Sequence, residues 1–228
     1  MNDFFRFPHT PHLTWLANGR PRDDKVLSPA EVEEILSAPI VIEEKLDGAN
    51  LGLSIGPDGA IRVQNRGNYL SPPFTGQFEK LKPWLKLHED SIFDSLDESV
   101  IVFGEWCAAR HSLDYVDLPD FFLGFDVYDR NNNSFWSTDR RNTLLSESGL
   151  ASVSLIARGL YKIDELKKIA SGKSSVYRNG NMEGIVVRKE NSDFLIQRAK
   201  IVRSEFTQAI QEHWSKRGIE WNKLDNDH

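Results

Sequence analysis

Closely spaced runs of β-branched and aromatic residues are the feature that most constrains the fold of this chain. The clearest pair, at 51–55 and 61–64, flanks a Gly-Pro-Asp-Gly turn and predicts a β-hairpin. Residues 184–188 and 194–197 form a second close pair of predicted strands. Because strands joined by short turns pair antiparallel, and helical segments separate these pairs, the pattern predicts an α+β class with largely antiparallel sheets.

The helical segments show recognisable boundaries. A helix over 28–37 is predicted by Ser28 as N-cap, Pro29 at the first helical position and Glu31 completing a capping box. The other predicted elements are strands at 40–44, 100–103, 121–128 and 152–157, helices at 75–88 (disturbed by Pro83), 139–148 and 162–170, and a final helix that starts at Ser204 and carries Phe206, Ile210 and Trp214 at helical spacing. No linker rich in Pro, Gly or Ser divides the chain. We therefore expect a single domain over 1–228, with 204–228 as a C-terminal helix and tail.

Composition excludes several classes of protein. Apolar residues make up 39% and charged residues 27% of the 228, which indicates a globular chain with a sizeable core. No apolar run approaches the roughly 20 residues of a membrane span, and the N-terminus does not resemble a signal peptide, so no membrane association is expected. A single cysteine, Cys107, excludes an internal disulfide framework and favours a cytoplasmic location. The net charge of −6 by itself argues against a surface coated with positive charge for nucleic acid.

The segment from Glu44 to Asn50 is the first candidate for chemistry. A short apolar strand delivers Lys45 to its end, and an Asp47-Gly48 turn follows. Lysine is a poor nucleophile at its ordinary pKa of about 10.4 and becomes useful only where the neutral amine is favoured. A surface lysine before a β-turn is the plainer interpretation of this segment alone.

Further polar residues follow predicted strands at intervals along the chain. They are Arg66 after the hairpin, Glu105 after the strand at 100–103, Phe125 and Asp126 in an aromatic strand, Glu183 at the head of a strand, and Arg198 and Lys200 at alternate positions. On a strand, Arg198 and Lys200 point to the same face. Each has a structural alternative as a solvated strand end, a core side chain or an exposed sheet face. It is the complete set in this order that indicates a function.

That ordered set resembles the covalent nucleotidyltransferase superfamily of ATP-dependent DNA ligases, RNA ligases and mRNA capping enzymes. Its motif pattern begins with lysine-x-aspartate-glycine and is matched from Lys45 to Lys200. Three stretches, 7–13, 45–50 and 198–203, are most similar to the RNA ligase group related to phage T4 RNA ligase 2. The resemblance implies an ATP-grasp-like nucleotidyltransferase domain of mainly antiparallel sheets with flanking helices. Only 28 residues follow Lys200, so we expect no OB-fold domain.

The resemblance also implies a three-step reaction that uses ATP with Mg²⁺ or Mn²⁺. Lys45 attacks the α-phosphorus of ATP to give lysyl-AMP, the AMP moves to a 5′-phosphate, and a 3′-hydroxyl then displaces it. Arg198 and Lys200 match the phosphate-contacting pair of the last motif, although the family usually has two lysines there. Their charges are expected to lower the pKa of Lys45 by repulsion. Glu183 matches the acid associated with the metal, which magnesium prefers to contact through water.

The nucleotide-binding roles implied by the resemblance fall on other motif residues. Glu105 matches the acid that contacts the ribose hydroxyls, and Phe125 matches the aromatic residue that stacks on adenine. Asn50 and Arg66 match positions near the ribose or phosphates, and Arg66 is also a candidate for the polynucleotide 5′-phosphate. Asp47 and Gly48 are expected to shape the turn. Glu44 is placed near the adenine edge.

The expected substrates are RNA ends, either single-stranded, nicked or gapped, with DNA or hybrid ends as alternatives. Two other functions stay open at this stage: a DNA nick ligase or other nucleotidyltransferase with the same lysyl chemistry, and a non-catalytic module that binds nucleotide or RNA ends. A protein partner could supply a substrate-gripping domain. The negative net charge then predicts few phosphate contacts, made by a local cluster on one face that comprises Arg66, Arg188, Lys189, Arg198, Lys200 and Arg203.

Overall fold

The computed structural model describes residues 4–18, 25–209 and 218–225. The strands are β1 (Ile40–Lys45), β2 (Ala49–Ile55), β3 (Ile61–Gln64), β4 (Tyr69–Leu70), β5 (Val100–Trp106), β6 (Phe122–Asp129), β7 (Ser134–Phe135), β8 (Ala151–Ser152), β9 (Leu155–Gly159), β10 (Gly184–Glu190) and β11 (Leu195–Val202). The helices are α1 (Pro29–Leu36), α2 (Leu81–Ser95), α3 (Thr138–Glu147), α4 (Ile163–Gly172) and α5 (Ser204–Ala209).

The strands form two sheets, and the chain passes from one to the other directly after Lys45. The first sheet has the order β11-β10-β1-β9, and all its neighbouring strands are antiparallel. The second has the order β4-β3-β2-β5-β6-β7, with β8 pairing parallel to β6. Because β1 lies in the first sheet and β2 in the second, residues 46–48 form the junction between them.

Each sheet is covered on one face by helices. Helices α1 and α4 pack on the first sheet, where Ile35 and Leu166 meet the buried Ile42 and Ile185. Helix α2 packs on the second sheet through a core that contains Leu81, Trp84, Ile92, Leu53, Val102 and Val127. No helix in the described ranges is long and apolar enough to cross a bilayer.

An N-terminal strap, residues 4–13, connects the two sheets. The rings of Phe5 and Phe7 pack against Phe103 and Phe135 of the second sheet. Further along the strap, the amide of Lys200 in β11 donates to the Pro11 carbonyl at 2.9 Å, and the amide of Leu13 donates back to the Lys200 carbonyl at 2.8 Å. The strap therefore contacts both sheets at the same end of the molecule.

The α+β class with mainly antiparallel sheets and flanking helices is confirmed, and so is the capping box of α1. The helix predicted at 75–88 is wrong at both ends: a 3-10 turn spans Gly76–Phe78 and α2 runs from Leu81 to Ser95. Pro83 does not disturb it, because this proline lies in the first turn, where the missing N–H has no helical partner.

The single strand predicted at 152–157 is also wrong. The chain changes sheets there, so β8 pairs with β6 in the second sheet while β9 pairs with β1 in the first. The final helix is described only as Ser204–Ala209, and Ile210 and Trp214 lie outside the described residues.

Candidate active site

A cavity of about 410 Å³ lies between the two sheets and is closed on one side by the strap. Nine of the eleven residues assigned a role from the sequence line it: Glu44, Lys45, Gly48, Asn50, Arg66, Glu105, Phe125, Arg198 and Lys200. Asp47 and Glu183 are not among the lining residues, but Glu183 contacts Lys45 directly and Asp47 follows Lys45 by two residues in the chain. The tertiary structure thus gathers residues that are up to 156 positions apart in sequence.

Lys45 ends β1 and meets the start of β10. In the antiparallel pairing of these strands Lys45 lies opposite Gly184, which places the preceding Glu183 beside its side chain. The Nζ atom of Lys45 lies 2.7 Å from the Glu183 carboxylate, and it also donates to the Leu46 carbonyl at 3.2 Å. The antiparallel sheet alone therefore explains why an acid at the head of one strand meets a lysine at the end of another.

The junction after Lys45 is held by the neighbouring loop and strand. The Asp47 carboxylate accepts hydrogen bonds from the amides of Ser112 and Leu113, at 2.7 and 2.9 Å. The amide of Gly48 donates to Glu105 at 3.0 Å. A Cβ atom at Gly48 would lie 2.6 Å from the Trp106 carbonyl oxygen, so only glycine fits without a backbone shift. These contacts fix the direction in which Lys45 leaves the sheet.

Acidic neighbours dominate the electrostatics around Lys45. Burial lowers its pKa, but Glu183, Glu105 and Asp47 together outweigh burial, so the pKa of Lys45 is raised. The expectation that Arg198 and Lys200 lower it is therefore wrong for the protein without ligand. Lys45 is a protonated partner of Glu183 in this state.

The pKa values of the two nearby carboxyl groups are also raised, but mainly by burial. Burial, reinforced by repulsion from Asp47, raises the pKa of Glu183 to about 8 and that of Glu105 to about 7. One lysine thus faces more acidic groups than it can neutralise. Such an excess of negative charge fits a divalent cation.

The acidic residues near Lys45 suit a metal ion that keeps most of its water ligands, rather than one enclosed entirely by protein side chains. In the parts of the chain that the structure describes, no three His, Cys, Asp or Glu side chains are arranged to hold a metal together. Mg²⁺ is commonly bound by one or two carboxylates, with waters and substrate phosphates completing its shell. Glu183, with its side chain 5% exposed, is the residue that would hold it.

Three residues that line the cavity each carry a buried polar atom with no hydrogen-bond partner among the described residues. These atoms are Oδ1 of Asn50, Nε of Arg66 and Oε1 of Glu44. The other oxygen of Glu44 accepts from the Val176 amide at 3.2 Å, and burial raises the pKa of this carboxyl group. Buried polar groups are normally paired, so these atoms fit a polar ligand. Phe125 adds an aromatic wall to the same cavity.

A buried network of ion pairs forms the base of the cavity, and sequence reasoning did not find it. Glu43 pairs with Arg141 of α3 at 2.5 Å, with side chains 2% and 0% exposed. Asp126 pairs with Arg188 at 2.7 Å through one oxygen and with Arg198 through the other. The available signal was an acid inside an apolar run, since Glu43 follows Ile40-Val41-Ile42 and a buried charge needs a partner.

The expected cluster of basic residues is only partly correct. Arg66, Arg188, Arg198 and Lys200 line the cavity, but Arg203 is not among the lining residues. The prediction that Lys189 belongs to this cluster is wrong, because successive strand residues point to opposite faces. It leaves the cavity and donates to Glu34 at 2.6 Å on the far side of the sheet.

The fold, together with the Lys45 turn and the cations that line one cavity, places the protein in the covalent nucleotidyltransferase superfamily. The family model for RNA ligase matches residues 38–202, so the chain belongs to the RNA ligase family. None of the curated protein sequences matches the chain significantly.

Solved structures with the same fold include several of an RNA ligase from Naegleria gruberi. Its complex with PPi superposes with a TM-score of 0.62 and 19% identity over 93% of this chain and 65% of that one. A mutant with AMP and Mn superposes with a TM-score of 0.60 and 17% identity over 93% of this chain and 65% of that one. Another mutant, with ATP and Mn, has a TM-score of 0.60 and 17% identity over 78% of this chain and 54% of that one. This chain spans less than two thirds of the length of the Naegleria ligase.

Proposed function

We propose that this protein is an ATP-dependent RNA ligase that joins a 3′-hydroxyl to a 5′-phosphate through a covalent lysyl-AMP intermediate and an adenylated 5′ end. The observation that carries the proposal is the position of Lys45. It lies in the cavity between the sheets, next to a buried acid, with Arg66 and Lys200 lining the same space. Membership of the RNA ligase family supports the same chemistry.

In the first step Lys45 acts as the nucleophile. Its Nζ forms a bond to the α-phosphorus of ATP as the bond to pyrophosphate breaks. Neutral amine is required, so the Lys45–Glu183 ion pair has to open beforehand. Glu183 is the residue that would hold a divalent cation, which would supply positive charge that competes for this carboxylate and offsets the phosphates. Arg66 and Lys200 add fixed positive charge where negative charge develops.

The remaining lining residues suit the nucleoside half of ATP. We assign Phe125 to stacking on the adenine, Glu105 to the ribose hydroxyls and Asn50 to the ribose or phosphates. Glu44 lines the cavity and carries a buried unpartnered oxygen, and we assign its carboxylate to accept a hydrogen bond from an exocyclic amino group. Adenine has such a group where guanine has a carbonyl oxygen, so this residue favours ATP over GTP.

The second and third steps use the polynucleotide. A 5′-phosphate oxygen attacks the phosphorus of lysyl-AMP and releases Lys45, and a 3′-hydroxyl then attacks the adenylated phosphate and releases AMP. Arg66 is the candidate contact for the 5′-phosphate. We propose RNA ends as the substrate and a cytoplasmic location for the protein. We also propose that a protein partner supplies further contacts to the RNA strand.

Self-adenylylation tests the proposal directly. The protein is incubated with ATP labelled at the α-phosphate and with Mg²⁺ or Mn²⁺, denatured and run on a gel. We expect a labelled band at 26.1 kDa that disappears in Lys45→Ala. Lys189→Ala, a lysine on the neighbouring strand that faces away from the cavity, is the matched control and should keep the band.

Two outcomes would contradict the proposal. Absence of the band with every metal and nucleotide, combined with ATP binding, would indicate a non-catalytic binding module. A panel of nicked and single-stranded RNA, DNA and hybrid substrates separates the ligase classes. Sealing of DNA nicks without joining of any RNA end would make the protein a DNA ligase instead.

A further inference from the structure

Arg198 and Lys200 share one face of β11, but the structure gives their side chains different surroundings. The guanidinium carbon of Arg198 lies 4.3 Å from the ring centre of Phe7 and 4.4 Å from that of Phe135. The Arg198 side chain is 8% exposed. Two aromatic rings thus pack against the charged group that was assigned from the sequence to a phosphate.

The edge of the same guanidinium is also engaged. Nη1 of Arg198 contacts one oxygen of Asp126, and the other oxygen of Asp126 pairs with Arg188. Asp126 is 2% exposed, so its charge is committed to these two arginines. A planar guanidinium can stack on aromatic rings and pair along its edge at the same time, whereas the compact, strongly hydrated ammonium of lysine is less suited to this combination.

Arg198 lies where the strap contacts β11. Phe7 of the strap packs on its guanidinium, and two residues further along β11 the backbone of Lys200 bonds to Pro11 and Leu13 of the strap in both directions. Across the sheet, Arg188 of β10 is the register partner of Arg198. The Arg198 side chain therefore joins the strap, β6 and β11 immediately beside Lys200.

We propose that Arg198 is a positioning residue that acts through Lys200, and that Lys200 is the cation of β11 that contacts the α-phosphate. The arginine holds the strap and β11 in the arrangement that directs Lys200 into the cavity, while its own charge is balanced by Asp126. The inference rests on the proposed function and names which of two neighbouring cations serves the phosphate. It also explains why arginine occupies a position where the family usually has lysine.

A double-mutant cycle tests this division of roles. The rate of lysyl-AMP formation at saturating ATP is compared in wild type, Arg198→Lys, Lys200→Ala and the double variant. We expect a loss of about 10- to 100-fold for Arg198→Lys, because small misplacement of a catalytic group costs about this much. Lys200→Ala should lose about 100- to 1,000-fold, and the double variant should be within about threefold of Lys200→Ala alone.

A second readout does not depend on catalysis. The dissociation constant of α,β-methylene-ATP, which cannot form lysyl-AMP, is measured for the same four proteins. If Arg198 acts through Lys200, adding Arg198→Lys to Lys200→Ala should leave this constant unchanged within about threefold. Arg158→Lys is the matched control, since Arg158 lies on the same sheet and pairs with an aspartate, Asp139, outside the cavity. It should leave both measurements unchanged.

Losses that multiply in the double variant, in rate or in analogue affinity, would overturn the inference, because they would show that each cation contacts the phosphate independently. Wild-type behaviour of Arg198→Lys in both measurements would overturn it as well. If the wild-type protein formed no lysyl-AMP from labelled ATP, that result would instead overturn the proposed function. The analogue affinities still decide between the two roles of Arg198 in that case.

Discussion

At the scale of single residues, Gly48 shows how closely the backbone determines the site. Its amide donates to Glu105, and the space where a side chain would begin is occupied by the Trp106 carbonyl. The motif glycine is therefore required by a close approach of two backbone segments, next to the proposed nucleophile Lys45.

Gly48→Ala should reduce lysyl-AMP formation about 100-fold, because the junction has to move and Lys45 moves with it. The measurement is the initial rate of label incorporation from ATP. Gly172→Ala is the matched control: it ends α4, and a Cβ atom there meets no other atom within 4 Å. Equal rates for the two alanine variants would show that the contact with Trp106 does not constrain the site.

At the scale of elements, α2 carries a titratable cluster away from the cavity. His88 Nε2 lies 3.0 Å from Asp120, and the other oxygen of Asp120 accepts from the Trp84 indole at 2.5 Å. Burial lowers the pKa of His88, but the hydrogen bonds to Asp120 and to the Trp84 carbonyl outweigh it, so the pKa of His88 is raised. The cluster fastens the helix to the loop before β6.

The stability of the protein should depend on pH through this histidine. A raised pKa in the folded state means that the stabilisation is fully present below the unfolded value of about 6.5 and is lost as pH rises through the folded pKa. Thermal unfolding between pH 6 and 8.5 should therefore show a melting temperature that falls by about 2 °C more in wild type than in His88→Gln. Parallel curves for the two proteins would contradict this assignment.

At the scale of the whole molecule, buried ion pairs connect the two sheets behind the cavity. Glu43 of β1 pairs with Arg141 of α3, and Arg141 also donates to the Phe125 carbonyl of β6 at 2.6 Å. Asp126 of β6 pairs with arginines of β10 and β11. The relative position of the sheets, and hence the width of the cavity, depends on these contacts.

Glu43→Gln should lower the free energy of unfolding by about 3 kcal/mol, because it leaves the Arg141 guanidinium buried without a countercharge. Urea denaturation measures the change. Asp139→Asn removes an acid from the exposed pair with Arg158, in which the Asp139 side chain is 74% exposed, and should cost less than about 1 kcal/mol. Equal losses would show that the buried network does not stabilise the sheet arrangement.

Much of the fold follows from local pattern. Strands β1, β2, β5, β6, β10 and β11 were predicted from runs of apolar residues, and α1 from its capping box, because these signals lie within a few residues of each other. The errors lie where the tertiary structure overrides local pattern. Residues 151–159 divide between two sheets, and α2 starts only after a 3-10 turn.

The candidate groups of the site could be read from the order of residues between Lys45 and Lys200, which carries the motif pattern, and from strand alternation, which directs Arg198 and Lys200 to one face. The pairing of those groups became visible only in the folded chain. Lys45 is held by Glu183, 138 residues away, and Arg198 packs against both Phe7 and Phe135. The physical reason is that the charge state and partners of a buried side chain depend on neighbours brought together by folding, and no local pattern records which distant charge will lie beside it.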